Sequence, residues 1–302
     1  MKPIWVAKYR PKTVADVIVA SDRDRFKFDQ FVETQSIPNL LMYGGPGTGK
    51  SSMSGALMRD LNIDRSDILK INCSDEKIDA MRDKVKNFAM TMSMGKFKVV
   101  RLEELDGIGH DAQRMLRDLI ESTERTCRYI ATCNHVNKVM IELRSRFHEF
   151  QFMAPSRDDV LLKTATILEA EGVEFDIDDL DKTVSAGYPD FRKIIQLLES
   201  NSAGGKLVIE NGGAAQDWKL QLLPLLEKSD LRGARKLVCE NATQNELVDV
   251  YRFVYDNLHR CKKLPQDEAI VLIAQYQYQH SFVADPELQI AALFIELSML
   301  CQ

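Results

Sequence analysis

The sequence predicts an α/β core built on a five-stranded parallel sheet, followed by segments that are helical throughout. Three observations carry this expectation. Five short apolar runs alternate with amphipathic stretches up to residue 152. A glycine-rich octet, Gly44-Gly45-Pro46-Gly47-Thr48-Gly49-Lys50-Ser51, lies between the first of those runs and a helical stretch. Beyond Pro155 the strand-like runs stop, and apolar residues recur at helical spacing. Short strands alternating with helices read as right-handed crossover units of a parallel sheet.

Taken in order, Arg10-Pro11 is an extended segment, because a residue before proline is pushed out of the helical region. Asp22 to Glu33 is helical, and Leu40-Leu41-Met42-Tyr43 is the first buried strand. The octet fits G-x-x-x-x-G-K-[ST], and Ser52 to Leu61 continues as a helix with Met53, Ala56, Leu57 and Leu61 on one side. In that setting the pattern is a phosphate site: glycines turn backbone N–H groups inward, and the new helix adds its positive end. A chance match occurs in on the order of one per cent of chains this long, and the strand and helix flanks lower that further. Lys50 would reach the β- and γ-phosphates, and the Ser51 hydroxyl would ligate Mg²⁺.

Ile68 to Ile71 is the second strand. Ser74-Asp75 can cap a helix from about Lys77 to Met92, with Ile78, Met81, Val85, Phe88, Ala89 and Met92 as its apolar stripe. Between Lys77 and Val99, six cations (Lys77, Arg82, Lys84, Lys86, Lys96, Lys98) face Asp79 and Asp83, a balance of +4. Arg82 and Lys86 share a helix face; a solvated face is the usual explanation of such a run.

A third strand, Lys96 to Leu102, runs into Glu103-Glu104-Leu105-Asp106. Carboxylates at that strand end, near a phosphate loop, hold Mg²⁺ and orient the attacking water. An acidic turn before a helix is an alternative with real weight for Asp106, and the minor one for Glu103 and Glu104 given the phosphate loop upstream. Arg101 is out of place among apolar neighbours and needs a partner or an edge position. His110 to Ser122 is helical, and Tyr129 to Cys133 is the fourth strand. It ends at Asn134, either a polar group near the nucleotide or a turn former. Leu143-Arg144-Ser145-Arg146 leads into the fifth strand, Phe147 to Phe152.

Ser156 and Asp159 resemble a capping box for a helix that runs to Glu171 and is closed by Gly172. A helical pair split by Gly187 to Arg192 follows. Ser202-Ala203-Gly204-Gly205 and Asn211-Gly212-Gly213 are the most linker-like stretches. About five amphipathic helices follow, near 215–227, 230–239, 243–260, 266–280 and 286–301. Their apolar stripes are either core or partner surface.

The 302 residues suit two or three domains. A hydrophobic fraction of 45% and a charged fraction of 28% are ordinary for a soluble globular protein. No apolar run is long enough to span a membrane, and Met1-Lys2-Pro3-Ile4-Trp5 has no leader-like apolar core, so a cytoplasmic protein is expected. The net charge of −5 argues against nonspecific coating of nucleic acid. Six cysteines show no C-x-x-C and the five histidines are scattered, which leaves no zinc site and favours reduced thiols.

Together these motifs resemble the AAA+ ATPases of the sliding-clamp loader group, most closely the large ATPase subunit of T-even-type bacteriophage clamp loaders. The resemblance covers nearly the whole chain and loses specificity after residue 212. Tyr9, Arg10 and Pro11, within Lys8 to Lys12, match the group's Tyr-Arg-Pro motif, which packs near the adenine. Gly44 to Ser51, with Ser52 after it, matches Walker A. Asn72-Cys73-Ser74-Asp75 before Ile78 resembles the segment leading into the DNA-facing helix. Asn134 matches sensor 1, Ser145-Arg146 falls on the Ser-Arg-Cys position with Phe147 in place of Cys, and Asp190-Phe191-Arg192-Lys193 matches sensor 2. Gln113 and Arg117 fall on the helix after Walker B, as coupling residues. Glu103 replaces the usual Walker B Asp.

The resemblance implies an AAA+ core (1–155), a small helical lid (156–212) and an all-helical collar that oligomerises (213–302). It further implies an ATPase that opens a sliding clamp and places it on primer–template DNA. ATP and Mg²⁺ would be held by Walker A, Ser51 and Glu103, with Glu104 polarising water and Arg192 sensing the γ-phosphate in cis. Arg146 would act in trans as an arginine finger, its alternative being a structural arginine at a helix end. Arg82 and Lys86 would contact the DNA backbone, and the partners would be copies of the chain plus a different subunit in a pentameric ring. Two rivals remain: another AAA+ DNA ATPase, such as a helicase loader or branch-migration motor, and a structural subunit that binds nucleotide but hydrolyses little.

Overall fold

The computed structural model describes residues 4–75, 77–202, 204–208, 218–243, 246–280 and 282–301. Ala203, the Asn211-Gly212-Gly213 linker, the expected start of a helix at 215 and residues 244–245 of the one expected at 243–260 lie outside the described residues. The chain forms two compact units: residues 1–163 with 189–196, and residues 164–188 with 197–302.

In the first unit a helical turn, α1 (Trp5–Lys8), precedes α2 (Asp22–Thr34), whose N-terminus is capped by Ser21. Then β1 (Leu40–Tyr43), α3 (Lys50–Asp60), β2 (Ile68–Asn72), α4 (Ile78–Met90) and β3 (Lys98–Glu103) alternate. They are followed by α5 (His110–Thr123), β4 (Cys127–Cys133), the turn α6 (Ile141–Arg144) and β5 (His148–Gln151). The five strands pair in parallel in the order β2-β3-β4-β1-β5. Helices cover both faces. Leu41, Val100, Leu102 and Ala131 pack with Met81 and Val85 of α4 and Leu116 and Ile120 of α5. Leu40, Met42, Val99 and Ile130 pack on the other side with Phe28 of α2 and Met53 and Leu57 of α3. The inner strands β1, β3 and β4 are largely buried on both faces, which is why they read as apolar runs rather than alternation, whereas edge strand β5 buries Phe150 and exposes its neighbours.

Two expectations about α4 are corrected. Ser74 and Asp75 do not cap it: Lys77 is the N-cap without a side-chain bond, and Asp75 is engaged in the preceding turn, where its carboxylate accepts from Asn72 Nδ2 at 2.5 Å. Ile78 is 39% exposed and Met92, past the helix end, is 94% exposed, so the apolar stripe is shorter than periodicity suggests. Lys98, counted among the surface cations, is buried. Its ammonium donates to Phe88 O at 2.6 Å and to the carbonyl and hydroxyl of Thr91. It caps the carbonyl end of α4, where a cation is favoured. Arg101 is on an inner strand, and its partner is Glu103 at 3.0 Å.

α7 (Arg157–Glu171) opens with Ser156 Oγ accepting from Asp159 N at 3.1 Å and ends before Gly172, at φ +67. It and α9 (Phe191–Asn201) each contribute residues to both units. The second unit holds α8 (Ile177–Gly187), α10 (Trp218–Glu227), α11 (Leu231–Asn241), α12 (Leu247–Asp256), α13 (Gln266–His280) and α14 (Pro286–Leu300). One apolar core unites α10 to α14. Arg260 lies in a 3-10 turn, Leu258–Arg260, past the point where α12 ends. It bonds Asp181 on α8 and Glu227 on α10. Among the described residues no helix is long and apolar enough to cross a membrane.

Lys98→Met should lower unfolding stability by about 1–3 kcal/mol, the cost of leaving buried carbonyls unpaired. Lys96→Met, at an exposed position, should stay within about 0.5 kcal/mol. Urea unfolding monitored by circular dichroism reads both, and equal losses would remove the capping role.

Candidate nucleotide-binding site

The loop between β1 and α3 leaves the carboxyl edge of the sheet and opens the helix at Lys50. Two of its glycines are fixed by close approach. A Cβ on Gly44 (φ +150) would lie 2.1 Å from Phe152 O, and one on Gly47 (φ +70) would lie 2.0 Å from Asp190 Oδ1. The same Asp190 oxygen accepts from Arg192 N at 2.9 Å and Lys193 N at 3.2 Å, so it caps α9 while touching the loop. This contact holds Arg192 at the loop.

A cleft of ≈ 530 Å³ is bounded by residues 47–52 of the loop and helix, by the segment from Ile4 to Ile18, and by Arg192. That volume falls in the range of small-molecule sites. Tyr9, Arg10 and Pro11 line it as expected, and Val17, Ile18, Phe191 and Ile195 add apolar wall. Arg59, near the end of α3, donates to Lys12 O at 2.7 Å and Pro11 O at 2.5 Å, which fixes the N-terminal segment against the phosphate-loop helix. Lys163 of α7 adds a cation to the wall.

Lys50 is buried, and its ammonium donates to Gly44 O at 2.7 Å and Gly45 O at 2.6 Å. Burial pushes its pKa below the ordinary lysine value; Cys133, Asp106 and Asp190 work against that shift, and Arg192 adds to it. Thr48 Oγ1 donates to Gly45 O at 2.9 Å and shapes the turn. Gly44, Gly45 and Pro46 build the loop without facing the cleft; Ser51 and Ser52 do face it.

The carboxylates gather at the end of β3. Glu103 Oε1 accepts from Arg101 Nη2 at 3.0 Å, and Oε2 pairs with Lys70 at 2.9 Å. Glu104 sits in the left-handed region at φ 56, ψ 48, and its side chain is exposed. For a non-glycine residue that conformation costs about 1–3 kcal/mol and collects at functional sites. Asp106, left open in the sequence, has a definite place: Oδ2 accepts from Asn134 N at 3.1 Å and His135 N at 2.8 Å, tying the end of β4 to the turn after β3. The Cys73 thiol registers the acidic field, pushed up to about 12 by burial and then by Glu104, Glu103 and Asp106.

Other expected residues lie outside the cleft. The Asn134 side chain is exposed and reaches the site only through its backbone bond to Asp106. Gln113 is buried; its Nε2 donates to Ile108 O at 3.1 Å and Lys138 O at 3.0 Å, and its Oε1 accepts from Met140 N at 2.7 Å. It joins the turn after the carboxylates to the segment that leads into α6 and Arg146. Arg117 pairs with neighbouring Asp118 on the surface. Arg146 pairs with Glu121 at 2.9 Å. Arg82 is partly exposed on α4 beside Asp79, and Lys86 is exposed one turn on.

Oxygen donors alone, a hydroxyl at Ser51 and a carboxylate at Glu103, suit a hard cation such as Mg²⁺. Among the described residues no group of three or more His, Cys, Asp or Glu forms an all-protein metal cage. Mg²⁺ bound with nucleotide needs none, because phosphates supply ligands. Val17, Ile18, Lys163 and Ile195 escaped the sequence reading because only tertiary contact brings their segments to the loop. The apolar Val17-Ile18-Val19 run was the one available signal.

Residues 40–155 match the model of the ATPase family associated with various cellular activities (AAA). The replication factor C small subunit of Sulfurisphaera tokodaii is 33% identical, over 98% of this chain and 95% of that protein. That of Archaeoglobus fulgidus is 38% identical over 68% of this chain and 66% of that protein. Among solved structures, the Holliday junction branch migration motor RuvB of Thermotoga maritima superposes with a TM-score of 0.56, covering 79% of this chain and 87% of that one. Its 12% identity makes it a likeness of fold alone. The full-length relationship places the chain by sequence as well as by fold: it belongs to the replication factor C small-subunit family of AAA ATPases, the clamp-loader ATPase subunits of DNA replication.

Proposed function

We propose that this chain binds ATP in the cleft beside Lys50 and spends its hydrolysis on opening a sliding clamp and placing it on primer–template DNA. The observation that carries this reading is the meeting of three elements around one cleft: the phosphate loop, Arg192 on the capped start of α9, and the Tyr9–Pro11 segment stapled by Arg59. Loop amides and Lys50 grip phosphates, Tyr9 and the Val17–Ile18 wall take the base, and Arg192 reads the γ-phosphate. Ser51 and Glu103 are the residues to hold Mg²⁺, which when bound neutralises charge on the β- and γ-phosphate oxygens. Glu104 accepts the proton of the attacking water as its general base.

Arg146 belongs to a neighbour's site. It precedes β5 at the level where His148 N bonds Asn39 O, the amino edge of the sheet, while its own phosphate loop leaves the carboxyl edge of β1. The four residues of β1 between them span about 13 Å. Its exposed pairing with Glu121 is worth little in water, so a phosphate can replace it. Arginine fits the task because its charge is permanent and its fork grips phosphate oxygens. The ring so formed is a pentamer of this chain with a different clamp-loader subunit, acting in the cytoplasm. We place the chain with the large ATPase subunit of T-even-type phage loaders on the resemblance of its motifs. The division into AAA+ core (1–155), lid (156–212) and collar (213–302) belongs to the same reading. Arg82 and Lys86 on α4 contact the DNA backbone, and Gln113 with Arg117 couples that contact to hydrolysis.

ATP turnover of the assembled complex should rise on adding primed DNA and clamp, and Glu104→Gln should lower it by at least ~100-fold with ATP binding retained. Near-normal turnover in that variant would remove Glu104 from the chemistry. Replacing Arg82 and Lys86 together with Ala should weaken primed-DNA binding and reduce its salt slope by up to about two units; an equal reduction from distant surface lysines would show that the face is not special. Arg146→Ala should cost ~10³-fold or more in turnover. Mixed with Lys50→Ala subunits that keep Arg146, it should regain part of the activity. No recovery in assemblies shown to contain both variants would place Arg146 in cis or in the scaffold.

A further inference from the structure

Arg101 occupies a position that alternation along β3 assigns to an apolar side chain. Val99, two residues earlier on the same face, is buried among residues of α3. The strand is internal to the sheet, so the guanidinium cannot turn to an open edge. It lies between the phosphate-loop helix and the carboxylate at the strand end. Nη2 is 3.4 Å from Ser51 O and 3.0 Å from Glu103 Oε1. Lys70, paired with Arg101 in the register of β2 and β3, takes the other carboxylate oxygen at 2.9 Å. Side-chain exposure is 13% for Arg101 and 19% for Glu103, against 59% for Lys70. Arg101 Nε is buried with no hydrogen-bond partner.

A buried N–H left unpaired is costly, and Arg10 and Arg59 add repulsion from nearby. Among the described residues Glu103 is the one ion-pair partner of this guanidinium, and both of its oxygens are already engaged. The same carboxylate is the residue read above as the metal-holding group beside Ser51. A cation drawn to Ser51 and Glu103 therefore meets a permanent positive charge already seated between them. We propose that Arg101 is a positioning residue that competes with Mg²⁺ for the Glu103 carboxylate and thereby sets the metal dependence of nucleotide binding. This rests on Glu103 as the metal carboxylate. Arg101 keeps its proton under all working conditions, so the competition is constant. Lys70, mostly in solvent and screened, adds a smaller share.

The test titrates the full-length chain with a fluorescent ATP analogue across a MgCl₂ series, with EDTA as baseline. It reads the Mg²⁺ concentration at which half of the metal-dependent gain in nucleotide affinity is reached. Arg101→Met removes the charge and keeps the length; the half-point should fall by about tenfold or more, the scale of a charge-assisted hydrogen bond. Arg101→Lys retains the charge and should stay within about threefold of the parent chain. Lys70→Met should shift the half-point in the same direction by less, and its exposed site lets it stand in if Arg101→Met does not fold. Glu103→Gln should abolish the metal-dependent gain. If that variant does so while Arg101→Met leaves the half-point unchanged or raises it, the competition is overturned and the role of Glu103 survives. Should Arg101→Met not fold, the absence of any downward shift in Lys70→Met overturns it equally. A gain that persists in Glu103→Gln overturns both.

Discussion

Parallel pairing of β1 with β4, and of β4 with β3, is the constraint on which the site depends. Strands that run the same way deliver the loops after their carboxyl ends to one edge of the sheet. That edge collects the phosphate loop from β1, the carboxylates from β3 and the Asn134 turn from β4. Backbone hydrogen bonds set the spacing: Gly44 N bonds Cys133 O, and Cys73 N bonds Glu103 O. The amino edge receives what must stay away from the site, and Arg146 is there. One topological fact thus puts Arg146 and the phosphate loop at opposite edges of the sheet.

Electrostatics at that edge is poised between opposing charges. Lys50 is desolvated yet has acidic groups near enough to oppose the loss of its proton, while Arg192 pushes the other way. Burial, and after it the carboxylates at the end of β3, raises the thiol of Cys73. Glu103 is neutralised from two sides, by Arg101 and Lys70, whereas Glu104 is held out of the ladder by a left-handed backbone. Adjacent glutamates therefore have separate fates. The first is drawn to the cations of β2 and β3; the second is presented to solvent by a left-handed turn.

Gln113 ties the carboxylate turn to a second segment of the same unit. A single buried amide uses both of its ends to join the turn after the carboxylates, at Ile108, to Lys138 and Met140 before α6. Separating the two segments would break three hydrogen bonds made by one buried side chain, so Gln113 ties them together. Asp106 makes the parallel link from the β3 turn to Asn134 and His135. Lys98 performs a related service for α4, holding the helix that carries Arg82 and Lys86 to the start of β3.

The sequence by itself determined what local pattern can encode. The five apolar runs, the glycine octet between strand and helix, and the helical periodicity after Pro155 specify element types and their order, because period and turn chemistry are local properties. They also placed Lys50, Ser51, Glu103 and Glu104, which sit within a few residues of a strand end. Tertiary structure decided which charges are on the surface and which are spent inside. Lys98 and Lys86 look alike in a charge count, but one caps a helix from within and the other faces solvent. Arg101 is anomalous in the sequence and acquires a partner only when β3 brings it between Ser51 and Glu103. Asp190 enters the sequence only within the sensor 2 resemblance, and packing against Gly47 is what brings it to the phosphate loop. Burial depends on packing between separate segments, and even the short-range pairs of Arg101 and Lys98 form because that packing shuts them off from solvent, so no local pattern carries them.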